Sequence, residues 1–513
     1  MKVCLIKPPI LFKGLSFSFM PSPPLGLAYI AGSLLHENYE VDVIDCSAEG
    51  IDNVTDFRRD VKVLGLNIPN TLDKIDPVTE IFCLSFMFTN NWLHDRELVR
   101  AIKNAYPKSI IVAGGEHATA APELCLNQSP IDYIVMGEGE QTIVELLDAI
   151  KNNKDIDKVS SIVFKKQGEL FKTIRRRRIQ EIKEIPWPAW HLFPLEKYFS
   201  NEISYGVYRG RTLPVMATRG CPYECTFCSS PQMWGRNYEM RPPSDFIDEL
   251  EFLHKEYGVV NFDLFDLTAI IHKKWILEMC EEIVKRGLVI SFQLPSGTRA
   301  EAIDLEVSES LWVAGCRNIT YAPESGSEKI LKDVKKKVSL DKMLTSIKYS
   351  SQSKLNIKLN MIIGFPDETH KDIWSTILFL VKCSWYGAND AMPATFSPYP
   401  GSNLFNKLQE EKKLDLYSDE YFFEIINSYD LWPTKVYSQK INPIFIKLYS
   451  FLILIIFYFS NYLFRPIRLY RTLRNVFTNQ HESRLEQILY KNFIAWFVKR
   501  KNKKIKNFTS NNI

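Results

Sequence analysis

The chain has 513 residues, more than one hydrophobic core serves well, so two or three domains are expected. Hydrophobic residues make up 46% and charged residues 24%, a globular balance that excludes a disordered or fibrous protein. The net charge of +4 is unevenly placed: from Arg465 to Ile513 there are twelve basic and two acidic side chains, so only the tail is suited to an anionic surface.

In chain order, short β-branched or aromatic runs predict strands at 2–6, 40–44, 81–86, 109–113 and 132–136. Helical patterns at 25–37, 95–106 and 141–151 lie between them. Alternation of this kind implies a doubly wound, Rossmann-like α/β domain over residues 1–151, with ligands bound beyond the carboxyl ends of its strands. Asp45, Gly114-Gly115-Glu116-His117 and Gly137-Glu138-Gly139-Glu140 fall at those ends and form a polar, glycine-rich rim suited to a cofactor's tail. Residues 152–205 carry charge runs and the proline-punctuated IPWPAWHLFP, and read as a connector. The run Arg175–Arg178 reads as solvated surface rather than a nucleic-acid patch, and no nucleic-acid partner is expected.

Alternation resumes over 206–405, with strands at 213–217, 259–265, 289–293, 318–322, 358–363 and 394–397 and helices that include 244–256 and 273–286. Six such units predict a partial (β/α)6 barrel with its chemistry at the carboxyl-terminal strand ends. Residues 406–513 read as a helical extension, hydrophobic and then basic. Within it, 444–464 is long and apolar enough to span a bilayer, and Lys447 is its only charge. A single span would carry the basic tail across the membrane, against the positive-inside tendency. Two readings therefore stand level: peripheral contact with a membrane, placing Arg465, Arg468, Arg471 and Arg474 near anionic headgroups, or a helix packed on the barrel.

Ten cysteines are too few for a disulfide scaffold, and three of them fall within eight positions, in CPYECTFC from Cys221 to Cys228. Cys221, Cys225 and Cys228 can hold three irons of a [4Fe–4S] cluster and leave the fourth open. A structural zinc site needs a fourth ligand, and neither His nor Cys follows at finger spacing. Clustered thiols suit a reducing compartment. The start MKVCLIKPPI lacks signal-peptide architecture, so a cytoplasmic location is expected.

With Phe227 before its last cysteine, this spacing resembles the signature of the radical S-adenosylmethionine superfamily. The resemblance implies that the open iron chelates the methionine end of S-adenosylmethionine, and that an electron from the cluster yields a 5′-deoxyadenosyl radical. It continues downstream through RPPSDFIDELEFLHKEYG, the acidic strand end at Asp266 (where Leu267 replaces a second acid), Arg299, the Glu324-Ser325-Gly326 segment, IIGFPDET around Gly364, and FSPYPGSNLF. The resemblance therefore implies contacts to S-adenosylmethionine from Phe227, Asp266, Arg299, Glu324, Ser325 and Gly364, with Tyr399 nearby.

PSPPLGLAYIAGSLL, VDVIDC, VAGGEHATAAPE and DYIVMGEGEQTIVELL are similar to the cobalamin-binding domain fused to many of these enzymes. This implies cobalamin contacts from Pro24, Gly26, Asp45, Gly114, Gly115, Glu116, His117, Gly137, Glu138, Gly139 and Glu140. The D-x-H-x-x-G motif that supplies a cobalt-ligating histidine is missing, so the lower base is expected to be displaced with no protein histidine on cobalt. His117 is left to touch the cofactor's edge or to pack. Together the two domains resemble cobalamin-dependent methyltransferases of unactivated carbon, which implies a small-molecule or lipid-like substrate and a one-electron donor such as flavodoxin or ferredoxin. The anaerobic magnesium-protoporphyrin ester cyclase group shares these motifs, so ring formation or rearrangement remains the alternative. More distant are a transfer-RNA methylthiotransferase, whose second cluster would need Cys4, Cys46, Cys83 or Cys125, and a non-catalytic cobalamin sensor.

Overall fold

The computed structural model describes residues 1–13, 21–426 and 435–491; the basic run Lys499–Lys506 lies outside the described residues. The first sheet has seven strands. Its parallel part runs in space as Glu40–Asp45, Lys2–Lys7, Ile81–Ser85, Ile110–Gly114 and Tyr133–Val135. Lys2–Lys7 lies between Glu40–Asp45 at the edge and Ile81–Ser85, and Val3, Cys4, Leu5 and Ile6 are fully buried because helices cover both faces. Its covers include Leu25–His36, Trp92–Ala105 and Glu140–Lys151. The expected strands and helices of this domain are all present, with ends within a few residues.

The connector assignment needs correction. Ile162–Lys166 and Glu169–Lys172 form a hairpin whose first strand pairs antiparallel with Tyr133–Val135, so the first sheet continues well past residue 151. Ile162, Val163 and Phe164 are buried on both faces, a run too short to stand out before the exposed Lys165 and Lys166, and the edge strand Glu169–Lys172 is mostly exposed.

The second sheet has six strands, all parallel and in chain order: Thr212–Val215, Asn261–Leu264, Ser291–Thr298, Cys316–Glu324, Asn356–Ile363 and Asp390–Thr395. Its first and last strands do not pair, so the barrel is open. The last strand begins four residues earlier than expected, at Asp390.

Helix Asp419–Ile426 crosses back to the first domain, where Asp419 pairs with Arg58 and Arg96 and Glu420 with Arg59. Helix Pro443–Phe464 lies on helix His370–Tyr386 and strand Asp390–Thr395. Ile446, Ser450, Ile453, Phe457 and Asn461, spaced along one helical face, are the buried contacts. Ile455, Phe459 and Leu463 point outward and are more than 60% exposed, which a helix enclosed by protein would not allow. Of the four arginines considered for headgroup contact or for packing on the barrel, Arg465 and Arg468 are engaged by the barrel. Arg465 donates to Trp385 O, and Arg468 to Gly387 O and Ala388 O, satisfying carbonyls at the end of helix His370–Tyr386.

Candidate active site

The cysteine loop leaves the barrel after its first strand. Thr218–Arg219 pairs antiparallel with Glu239–Met240, so the loop is pinched at its base. Gly220 sits in that pinch at φ +91°, and a Cβ there would collide with the Asn237 carbonyl; only glycine fits. Thr226 N donates to Val334 O and Leu404 N to Thr226 O, tying the loop to two distant segments. Cys221, Cys225 and Cys228 are half-buried. Burial pushes the Cys228 thiol up to about 11, against hydrogen bonds from Ser230, and raises Cys225 despite nearby Lys336. Among the described residues no three His, Cys, Asp or Glu side chains already stand at metal-ligand spacing. The three loop thiols nevertheless fit a cluster: soft donors on one short turn, held in place from outside.

Phe227 packs on Phe365, which packs on Phe396, and Tyr399 belongs to the same apolar cluster. Arg299 stacks over Tyr223 of the loop at 3.9 Å and pairs with Glu301. Glu324 holds a positive φ of 67° and takes Lys336 Nζ at 2.9 Å, which puts a charged pair beside Cys225. Ser325 Oγ is hydrogen-bonded to Thr376 Oγ1, and Gly364 (φ +82°) donates its N–H to Glu368 Oε2. Burial lifts Glu368 to about 8, and its Oε1 has no partner among the described residues. The loop, Phe227, Arg299, Glu324 and Gly364 are thus gathered at the barrel's carboxyl end.

Asp266 is differently engaged. Its carboxylate accepts from Ala217 N, Thr218 N and Thr218 Oγ1, and burial outweighs these bonds to lift it to about 6. In this structure it fastens the strand that leads into the cysteine loop.

The rim of the first domain faces that loop, and its three expected glutamates, Glu116, Glu138 and Glu140, are in use between the domains. Arg219, 2% exposed, pairs with Glu140 at 2.7 Å and Glu138 at 3.2 Å. Arg178 reaches Glu138 and Asn237 O. Ser229, next to the last cysteine, donates to Glu116. The arginine run is solvated surface only in part: Arg175 and Arg177 are exposed, but Arg175 binds the carbonyls of Gln232 and Met233, and Arg176 meets Thr142 and Glu145. Asp45, expected on the rim, is fully buried and caps the helix Cys46–Glu49 while accepting from Tyr198 Oη at 2.6 Å. His117 is also enclosed: Nδ1 meets Thr89 Oγ1 at 3.1 Å and the ring lies against Trp92 and Phe422. Packing rather than exposure on the rim describes it.

Pro24, Gly26, Gly114, Gly115 and Gly139 keep part of their surface reachable; a Cβ on Gly26 would meet nothing within 4 Å and one on Gly114 only Val135 at ordinary contact, whereas one on Gly115 or Gly139 would press on Phe86 O or Ile30. Met87 (42% exposed) and Phe88 (55%) stand at the end of the neighbouring strand Ile81–Ser85. Reachable backbone of this kind with exposed apolar side chains fits a large, flat-edged group such as a corrin. Met87 and Phe88 were missed in the sequence because SFMF continues an ordinary buried strand. Lys336 was missed inside a lysine run that looks like surface.

Comparison with known proteins gives the same two halves. Residues 19–147 match the B12 binding domain and residues 215–380 the radical SAM superfamily. The chain is 31% identical to an uncharacterized methyltransferase of Pyrococcus horikoshii, over 79% of this chain and 82% of the relative. It is 27% identical to cytidylyl-2-hydroxyethylphosphonate methyltransferase of Streptomyces wedmorensis, over 80% and 83%. Its fold matches the radical S-adenosylmethionine methyltransferase TsrM from Kitasatospora setae, solved with cobalamin and a [4Fe–4S] cluster, at a TM-score of 0.63, 18% identity, and coverage of 80% of this chain and 78% of that one. The chain belongs to the cobalamin-binding radical SAM enzymes, and its cofactors are cobalamin, a [4Fe–4S] cluster and S-adenosylmethionine.

Proposed function

We propose that this enzyme methylates an unactivated carbon of a small-molecule substrate. The observation that carries the reading is the direct joint between the rim of the cobalamin domain and the cysteine loop, made by Arg219, Arg178 and Ser229. When bound, the cofactors supply a methyl carrier on one side of that joint and a carbon-radical source on the other. The protein's part is to align and enclose. Arg219 fixes the spacing of the two domains, and the Phe227–Phe365–Phe396 stack keeps water from the loop. Lys336 balances the charge of Glu324 beside Cys225. Glu368, whose carboxyl burial lifts to about 8, accepts the Gly364 N–H at Oε2 and so holds the strand end beside the loop.

We assign Cys221, Cys225 and Cys228 to the cluster, Phe227, Arg299, Glu324, Ser325 and Gly364 to the S-adenosylmethionine region, and Pro24, Gly26, Gly114, Gly115 and Gly139 to the corrin edge. An open cleft of about 290 Å³, lined by Tyr223, Lys273, Arg299, Glu301 and Asp304, approaches the loop from outside and suits delivery of an electron by a small donor protein. The outward row Ile455, Phe459 and Leu463, continued by Ile467, Tyr470 and Phe477, supports contact with a lipid surface from the cytoplasmic side. The reading is tested with S-adenosylmethionine carrying a deuterated methyl group, incubated with reconstituted enzyme and extracts of its source cells. A product bearing the label, formed with 5′-deoxyadenosine, is expected. Labelled product without 5′-deoxyadenosine, or 5′-deoxyadenosine with an unlabelled rearranged product, contradicts it.

A further inference from the structure

The inner wall of the open barrel has a marked polarity. Along Asn356–Ile363 burial alternates strictly: Ile357, Leu359, Met361 and Ile363 are buried under the helices, while Asn356, Lys358, Asn360 and Ile362 keep part of their surface reachable. Met392 and Ala394 do the same on the neighbouring strand. Since alternate residues of a strand face opposite sides, the partly reachable set lines the lumen. Tyr205 is 48% exposed, packs edge-on against Phe265 and donates its N–H to Asp263 on the second strand of the barrel. The floor of the lumen is made by residues 204–209 and helix Arg484–Leu489, joined through Arg484 to Gly206 O and Arg209 to Asn318.

Lys358 stands just above this floor. Burial, then the charge of Arg484, lower its ammonium to about 8. Among the described residues its side chain has no hydrogen bond and no ion pair within 4 Å; the opposing charge that acts on it is Asp390, its partner on the next strand. The carboxylates of the floor are already committed. Asp390 accepts from Tyr458 Oη and Arg484 N, and Asp263 from Ser204 Oγ, Tyr205 N, Gly206 N and Gln293. Asn360, one step along the same face, has a buried Oδ1 with no partner. An enclosed lysine held for structure alone is ordinarily paired, because an unpaired buried charge is costly. Here two cations and unfilled amide capacity meet at the closed end of a cavity whose open end holds the cysteine loop.

We propose that Lys358, with Asn360 and Arg484, binds an anionic group of the substrate, a carboxylate or a phosphate ester, at the barrel floor. The six steps from Lys358 to Gly364 span ~20 Å of strand, so the substrate is elongated, with its anionic end down and its reacting carbon near the cysteine loop. This deepens the methyltransferase reading and rests on it only for which end reacts.

The test uses the full-length protein loaded with cluster and cobalamin, and follows acetylation of Lys358 by acetic anhydride with peptide mass spectrometry. The probes are dodecyl phosphate, dodecanoate, dodecanol and inorganic phosphate, each below its micellar concentration. Dodecyl phosphate or dodecanoate should slow acetylation of Lys358 severalfold, and whichever protects better identifies the head group; dodecanol should not. Equal protection by dodecanol, or no protection by either anion, overturns the proposal. Calorimetry gives an independent arm: Lys358→Gln should weaken binding of the protecting probe about tenfold or more, as for loss of a charged hydrogen bond, and Lys358→Arg should retain most of it. Unchanged binding by Lys358→Gln also overturns it. If that variant fails to fold, the labelling of the natural protein decides. Neither arm requires turnover, so failure of methyl transfer and failure of anion binding are separate results.

Discussion

Arg219 Nη2 lies 2.7 Å from Glu140 Oε1, and the two residues belong to different domains. Arg219 is one residue before the glycine that opens the cysteine loop; Glu140 begins the last helix of the first domain. Its other nitrogen takes Glu138, and its plane lies over Tyr29 and Trp234. A fully enclosed guanidinium with two carboxylates makes the domain joint rigid, because loosening it would expose three charges to a medium that cannot solvate them. Replacing Arg219 with Met should therefore cost about 3–5 kcal/mol, read as a lowered denaturant midpoint, and should impair methyl transfer more than release of 5′-deoxyadenosine. Arg219→Lys should recover part of the stability but not the paired geometry.

The cysteine loop and the cobalamin rim should be separable in loading. Cys221→Ala, Cys225→Ala or Cys228→Ala should each lose the visible absorbance and iron of the cluster, while cobalamin binding, measured by its own absorbance after gel filtration, should persist. Loss of both together would mean that the loop, rather than the reachable backbone at Gly26 and Gly114, carries the corrin.

Lys336 meets Glu324 at 2.9 Å next to Cys225. Lys336→Met should leave a buried carboxylate unpaired, with a loss of about 3–5 kcal/mol if Glu324 stays charged. It should also weaken S-adenosylmethionine binding by equilibrium dialysis. The double variant Lys336→Met with Glu324→Gln should recover much of the stability and none of the binding.

Acid should unfold the protein through its histidines. Burial lowers His117 to about 3 and His94 to about 4, from an ordinary value of 6.5. Between those values the unfolded chain binds protons that the folded chain refuses, so stability rises with pH over this range and is lost as pH falls below about 6.5. Above it, both states are neutral at these sites and the contribution is flat. His117→Gln should flatten the slope of denaturant midpoint against pH between about 4 and 6.5. A slope unchanged in that variant would place the effect elsewhere.

The apolar row on Pro443–Phe464 should drive binding to vesicles. Flotation with phosphatidylglycerol vesicles should carry the full-length protein upward, and Phe459→Glu with Leu463→Glu should abolish it while leaving the buried face of Ile453 and Phe457 intact. Flotation unaffected by both changes would remove the lipid-surface reading.

Much of this architecture was legible in the sequence because periodicity reports burial. Lys2–Lys7, Ile81–Ser85 and Asn356–Ile363 are apolar or alternating runs, and their strands stand where expected. The cysteine spacing was legible because three thiols on one turn leave few structural explanations. Pairings across the chain were not. Nothing near Arg178 or Arg219 in sequence indicates Glu138 or Glu140, and a charge run reads as surface until its partners are known. The engagements of Asp45 and Asp266 were hidden for a related reason: a carboxylate at a strand end serves a helix cap or a loop anchor as readily as a cofactor. The hairpin at Ile162–Lys172 was not legible because its apolar run is only three residues long and its outer strand is mostly exposed.

The measurement that bears most directly on the account is metal content and product release after anaerobic reconstitution. It predicts about four iron and about one cobalt per chain, with 5′-deoxyadenosine released only when Cys221, Cys225 and Cys228 are all present. About eight iron and no cobalt per chain would contradict it.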